Sequence, residues 1–321
     1  MDVLFTEEDK KWRQEIRDWI AKEIPPQYRV YDETFFKGDP EDQWRFRKQV
    51  SLKLAEKGWL TMAWPREYGG ENARPVKMAI YADEMGYWGA EPAFGTTRLG
   101  PPIMGHGTKE QKAKWLPLVA SGKISCALGD SEPDAGSDTA NIRTTAVLDG
   151  DHFILNGHKH FSTFGHRSEY TLLLAVTDPE ARKRHNLSRF IVDLSSPGVT
   201  RLPQYNMSGT GWPQCETFYD NVRIPKENLI GTLNNAWLEI TTDRGGFQGS
   251  GKLGAIRRDF DEFVAFCKVN ERNGKPLIED PLIGSRLAIM ATELQAILTM
   301  YWQSVSEMEK NFGKPLSERG G

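Results

Sequence analysis

The stretch Thr144-Thr145-Ala146-Val147-Leu148-Asp149-Gly150-Asp151-His152-Phe153-Ile154-Leu155 decides the fold class. Two short runs rich in β-branched and apolar residues flank Asp149-Gly150-Asp151, and an Asp-Gly pair between such runs is a hairpin signal. Strand-like runs recur over 171–176, 189–192 and 216–222, so a strand-rich region extends from about residue 125 to residue 230. On either side the period becomes helical. Thr6-Glu7-Glu8-Asp9 reads as a helix start with acids in its first turn, and Trp12, Ile16, Trp19 and Ile20 follow at helical spacing. Further helices are expected over 41–57, 75–85 and 109–118, the last behind a Gly105-His106-Gly107-Thr108 cap, with Gly- and Pro-rich loops between them. Beyond the strands, helices are expected over 236–252, 260–270 and 280–308. Helices, then strands, then helices argue for separate domains rather than a parallel α/β sheet. The expected fold is α+β multidomain: an N-terminal α-helical domain over 1–122, a central antiparallel β-domain over 123–231, and a C-terminal helical bundle over 232–321. Two long helices make a small core, so that bundle is expected to be truncated and incomplete, or completed by a partner.

Composition narrows the function classes. A formal net charge of −3 over 321 residues gives no sign of a nucleic-acid or membrane surface. The three cysteines, Cys126, Cys215 and Cys267, lie far apart with no CxxC pair, which argues against a disulfide framework and a zinc site. The first residues carry acids and no apolar signal core, and no apolar run approaches the ~20 residues of a membrane span. A cytoplasmic location is therefore expected. The ten tryptophans suit core packing or the aromatic walls of a planar cofactor.

Ser131-Glu132-Pro133-Asp134-Ala135-Gly136-Ser137-Asp138 carries the most chemistry. Ala135 and Gly136 let a ligand approach the backbone, and Ser131 and Ser137 offer hydroxyl and N–H groups suited to a polar ring edge or a phosphate. On these residues alone, a plain polar turn is an equal reading. His158 and His160 put two rings on one face of a strand without a third ligand nearby in sequence, which favours surface or supporting histidines over a metal site. Arg182-Lys183-Arg184-His185 reads as a solvated hairpin tip, with the phosphates of a ligand as the other option.

Five stretches in order carry a resemblance. They are Gly58-Trp59 with Pro65-Arg66-Glu67-Tyr68-Gly69-Gly70; Gly107-Thr108-Lys109-Glu110-Gln111-Lys112 with Trp115-Leu116-Pro117; Ser131 to Asp138; Leu155-Asn156-Gly157-His158-Lys159 with Phe161-Ser162-Thr163; and Phe218-Tyr219-Asp220-Asn221-Val222-Arg223-Ile224-Pro225. With these the chain resembles the acyl-CoA dehydrogenase family, as a C-terminally shortened member. The resemblance implies FAD, an acyl-CoA substrate and α,β-dehydrogenation: a proton leaves Cα and a hydride passes from Cβ to flavin N5. It implies that Leu128, Asp130 and Ser131 contact the isoalloxazine, that Gly136 and Ser137 lie beside flavin phosphate or pantetheine, and that Phe161 and Thr163 flank the ring. Phe161 stands where many relatives carry Trp, and Leu128 where many carry an aromatic residue.

The base is implied at Asp243, beside Arg244, in Thr242-Asp243-Arg244-Gly245-Gly246; relatives read Glu-Arg there, and a surface acid is the other reading of Asp243. Glu91 and Arg98 are implied at the acyl end of the pocket, Arg98 facing an acidic tail or a surface salt bridge. Arg272 resembles an arginine that reaches the flavin across a dimer. Electron-transfer flavoprotein is the implied electron acceptor, within a homo- or hetero-oligomer. A non-catalytic subunit of a heteromeric dehydrogenase, and a flavin oxidase or monooxygenase on the same fold, are the alternatives.

Overall fold

The computed structural model describes residues 5–29, 40–90, 92–93, 95–206, 209–243 and 251–313. Helices come first: α1 (Glu7–Glu23), α2 (Pro40–Glu56), α3 (Pro75–Tyr87), α4 (Thr96–His106) and α5 (Lys109–Ala120). Strands follow: β1 (Cys126–Gly129), β2 (Thr145–Asp149), β3 (His152–Lys159), β4 (Tyr170–Val176), β5 (Leu187–Asp193), β6 (Val199–Asn206), β7 (Gly209–Pro225) and β8 (Leu229–Ile230). Then come α6 (Ala236–Asp243), α7 (Gly251–Val269), the short β9 (Glu271–Arg272) and β10 (Lys275–Pro276), and α8 (Pro281–Lys310). The fold is thus a helical N-terminal region, a central and mostly antiparallel sheet, and C-terminal helices.

Local chemistry explains most boundaries. Thr6 and Asp9 form a reciprocal capping box at the start of α1, and Thr108 and Gln111 form one at α5. Asp280 caps α8 through the N–H groups of Leu282 and Ile283. Asp149-Gly150-Asp151 turns β2 into β3, with Asp149 opposite His152 and Gly150 at φ 62°. α4 was not legible in the sequence, because Gly100-Pro101-Pro102 sits inside it and both residue types disfavour a helix interior. The glycine is required by space: a Cβ on Gly100 would lie 2.4 Å from the Trp64 ring.

Contacts divide the chain into two compact units. One comprises Glu33–Gly70 and Pro92–Gly246. Its sheet runs β6-β7-β3-β2-β4-β5-β8, with β1 attached to β4. The pairing is antiparallel except at β1–β4 and β2–β4, which are parallel. β4 is buried on both faces. Leu172 packs with Leu99, Ile103, Trp115 and Leu116 of α4 and α5, while Leu173 packs with Phe153, Phe190 and Val222. Gln111 of α5 donates to the carbonyls of Glu227 and Leu229 at 2.7 and 2.6 Å, tying that helix to the sheet edge.

The other unit gathers Met1–Asp32, Glu71–Glu91 and Phe247–Gly321. Within it α3 and α7 touch backbone to backbone: a Cβ on Gly254 would stand 2.1 Å from the Asp83 carbonyl oxygen, and one on Gly86 would stand 1.9 Å from that of Gly251. Gly254→Ala must push the helices apart and is expected to destabilise this unit by about 1–3 kcal/mol. Urea unfolding followed by circular dichroism measures it, and an unchanged midpoint would mean that α3 and α7 separate freely. Among the described residues, α8 is long and apolar enough to cross a bilayer by length and composition, with 6 % of that window buried. This corrects the expectation that no segment approaches such a length. Its Leu282, Ile289, Ile297 and Met300 are exposed.

Candidate functional site

Two segments meet at the end of the sheet where β1 and β3 finish. One continues β1 through residues 130–137, and the other continues β3 through 160–163. They are stitched by five hydrogen bonds. The Ser162 hydroxyl donates to the Leu128 carbonyl at 2.8 Å, and the His160 N–H to the Ser131 carbonyl at 2.9 Å. The Lys159 ammonium reaches the Asp130 carbonyl at 3.3 Å, and Arg98 of α4 donates to the carbonyls of Cys126 and Thr163 at 2.8 and 3.3 Å.

The result is a cleft of about 200 Å³. Leu128 and Phe161 give it apolar surface; Asp130, Ser131 and Thr163 give it polar edges; Arg98 and His160 complete the lining. Phe161 is 59 % exposed and sits at φ 58°. A bulky residue held in the left-handed region is strained, and such strain clusters at ligand sites. Its ring lies 3.8 Å from that of His160, centroid to centroid. Burial pushes the Arg98 pKa below its ordinary value against weaker pulls from Cys126 and Asp130. Arg98 is thus anchored on main-chain carbonyls at the cleft.

The other residues named from the sequence fall as follows. Gly136 and Ser137 are exposed on the same 130–137 segment but do not line the cleft. α6 packs Ala236 and Ile240 against Ala135 of that segment, and its last residue is Asp243. The Asp243 side chain, Arg244 and Glu91 lie outside the described residues. Arg272 is exposed in the β9–β10 pair of the other unit. His158 meets Glu216 at 2.6 Å and stacks on Phe218. His160 contacts the Gln204 amide at 2.7 Å. No group of three metal-ligating side chains occurs among the described residues.

Two features escaped the sequence reading: His160 as part of the cleft wall, and a buried ion pair behind it. Lys159 is fully buried with its ammonium 2.9 Å from Glu132. The signal was present. Phe153, Leu155 and Lys159 share one face of β3 by the period of two, so a lysine there requires a buried partner.

The residues fit a flavin. An apolar wall with polar groups at its margin suits a planar ring with hydrogen-bonding edges. Asp130 Oδ1 is buried with no hydrogen-bond partner among the described residues. At Gly136 a Cβ would meet nothing within 4 Å, which leaves backbone open to a phosphate or a linear arm.

Comparison with known proteins agrees. Residues 6–123 match the acyl-CoA dehydrogenase N-terminal domain, 127–222 its middle domain and 246–317 its C-terminal domain. Acyl-CoA dehydrogenase FadE29 of Mycobacterium tuberculosis is 32% identical over 311 residues, which are 96% of this chain and 79% of that protein. The caffeyl-CoA reductase–Etf complex subunit CarC of Acetobacterium woodii is 30% identical, over 98% of this chain and 83% of its own. A solved structure titled Tcur3481-Tcur3483 steroid ACAD superposes with a TM-score of 0.84 at 31% identity, covering 97% of this chain and 79% of that one. A cleft suited to a flavin, on this fold and in this company, places the chain in the acyl-CoA dehydrogenase family of FAD-dependent oxidoreductases acting on CH–CH bonds.

Proposed function

We propose that the chain removes a proton from Cα and a hydride from Cβ of an acyl-CoA thioester, with FAD held at the cleft of Leu128, Asp130, Ser131, Phe161 and Thr163. The observation that carries this reading is the meeting of an exposed, strained Phe161 with the polar edge of Asp130, Ser131 and Thr163 in one cleft. When bound, FAD supplies the hydride acceptor. The chain's residues supply the rest. Phe161 and Leu128 bound the ring and exclude water, and Ser131 and Thr163 offer hydroxyls to its edge. Gly136 and Ser137 receive phosphate or pantetheine, and Arg272 serves the cofactor across a subunit contact. Asp243 takes the Cα proton, with Arg244 beside it, and Glu91 and Arg98 border the acyl group.

The acyl group is proposed to be branched or ring-bearing, in keeping with the steroid enzyme among the similar structures. The electron acceptor is proposed to be an electron-transfer flavoprotein, in keeping with the Etf complex of the CarC relative. The exposed apolar residues of α8 suit burial in a homo- or hetero-oligomer.

Anaerobic mixing of the FAD-loaded protein with short, branched, aromatic, dicarboxylic and steroid acyl-CoAs tests the reading. Bleaching of the flavin by a ring-bearing member, without peroxide on later aeration, is the expected result. Rapid peroxide production would instead identify an oxidase. Absence of bleaching, together with tight binding to a related chain, would identify a non-catalytic subunit; the aspartate that replaces glutamate at position 243 is the feature favouring that alternative.

A further inference from the structure

Lys159 is fully buried, and its side chain is not part of the cleft lining. Its ammonium touches two groups, the Glu132 carboxylate at 2.9 Å and the Asp130 carbonyl at 3.3 Å. Glu132 in turn accepts the backbone N–H groups of Arg143 at 2.7 Å and Thr144 at 2.9 Å, where the chain enters β2. Burial alone would raise the Glu132 pKa, but Lys159 and these donors hold it below its ordinary value. The two contacts of Lys159 bracket Ser131 on both sides, and the Ser131 carbonyl is itself taken by the His160 N–H. The one hydroxyl-bearing residue of the 130–137 segment that lines the cleft is thus fixed at its two neighbours and at its own carbonyl.

Stability alone is a weak reason to keep such a pair, since a buried ion pair is often no more stabilising than well-packed apolar residues of equal volume. What the pair does supply is location: a single ammonium sets the spacing between the rim of the cleft and the end of β3. A site whose supporting groups are loosened by about 1 Å loses function while its contacting residues remain.

We propose that Lys159 and Glu132 are positioning residues for the cofactor, acting through the Asp130–Ser131 rim. The proposal rests on the reading of this cleft as the FAD site.

The test uses the full chain titrated with FAD, read by the dissociation constant and the visible flavin spectrum, with thermal unfolding of the apoprotein measured alongside. Lys159→Met strands the Glu132 carboxylate and is expected to lower the melting temperature. In the double variant Lys159→Met/Glu132→Gln no charge is left buried, and the amide oxygen still accepts a backbone N–H. Its melting temperature is expected to recover toward that of the parent, while FAD binding stays weaker by roughly tenfold and the flavin band remains shifted.

If the double variant matches the parent in both FAD affinity and spectrum, the pair is structural only and the inference is overturned. Should the double variant not fold, Glu132→Gln alone decides. It keeps the Lys159 contact with Asp130, so a several-fold loss of FAD affinity supports positioning and parental affinity overturns it. If the parent chain itself binds no FAD, the reading of the cleft fails first and takes the inference with it.

Discussion

Asp243→Asn is expected to bind FAD and acyl-CoA as the parent does, and to reduce its flavin about 10²–10⁴-fold more slowly, the usual loss when a general base is removed. The argument starts from position. Asp243 closes α6, and α6 lies on Ala135 of the segment that turns past the cleft. Proton removal at a carbon beside a thioester carbonyl requires a carboxylate held away from water. The sequence places an acid followed by arginine and two glycines at the end of this helix. Aspartate is one methylene shorter than the glutamate of relatives. If reach limits the rate, Asp243→Glu should equal or exceed the parent. Stopped-flow reduction under anaerobic conditions measures all three proteins. An Asp243→Asn chain that reduces at the parental rate would move the base to another residue or to a partner subunit.

The second large effect concerns stability. Glu84 is fully buried on α3, and Arg17 grips it with two hydrogen bonds of 2.9 and 3.0 Å while Arg13 bonds the same carboxylate. The neighbouring Asp83 meets Arg13 at 2.8 Å and Arg257 of α7 at 3.2 Å. Glu84→Ala removes the anion around which these cations are arranged. Breaking a buried pair costs about 3–5 kcal/mol, and the lower end is expected here because the Arg17 side chain is 44% exposed and can return to water.

Burial would raise the Glu84 pKa, yet the Arg17 and Arg13 bonds outweigh it and lower that pKa from its ordinary 4.5. A carboxyl depressed in the folded state stabilises fully above its unfolded value, and that contribution disappears as pH falls through the folded value. The parent should therefore lose stability below about pH 4.5 more steeply than Glu84→Ala. Urea titrations at pH 7 and through the acid range measure both effects, and parallel acid limbs would show that Glu84 contributes nothing to the pH dependence.

How much of this was legible in the sequence depended on whether the cause was local. Thr6, Thr108 and Asp280 announce helix starts, and Asp149-Gly150-Asp151 a hairpin, because each acts on its own neighbours within four residues. α4 carries no such signal. Its glycine and prolines are tolerated only because Trp64 and the sheet pack against it, and so its Arg98 could not be traced to the carbonyls of Cys126 and Thr163. β1 belongs to the same class, since its parallel pairing with β4 is not written in either strand. The cleft shows both sides. Ser131, Phe161 and Thr163 were candidates from their stretches, whereas His160 joins the lining through the turn of the chain beyond β3. Lys159 reads as a surface charge until its register on β3 is counted.

The discontinuity of the unit built from α1, α3, α7 and α8 has a consequence for synthesis. α3 leaves the ribosome about 160 residues before α7 begins, an interval of roughly 8–30 s at ~5–20 residues per second. The sheet and its helices are complete in that interval, while Gly86 and Asp83 on α3 still await Gly251, Gly254 and Arg257. The nascent chain therefore carries a finished globule before the unit of α1 and α3 can close, and the α3 surface that receives Gly251 and Gly254 stays uncovered until translation reaches α7.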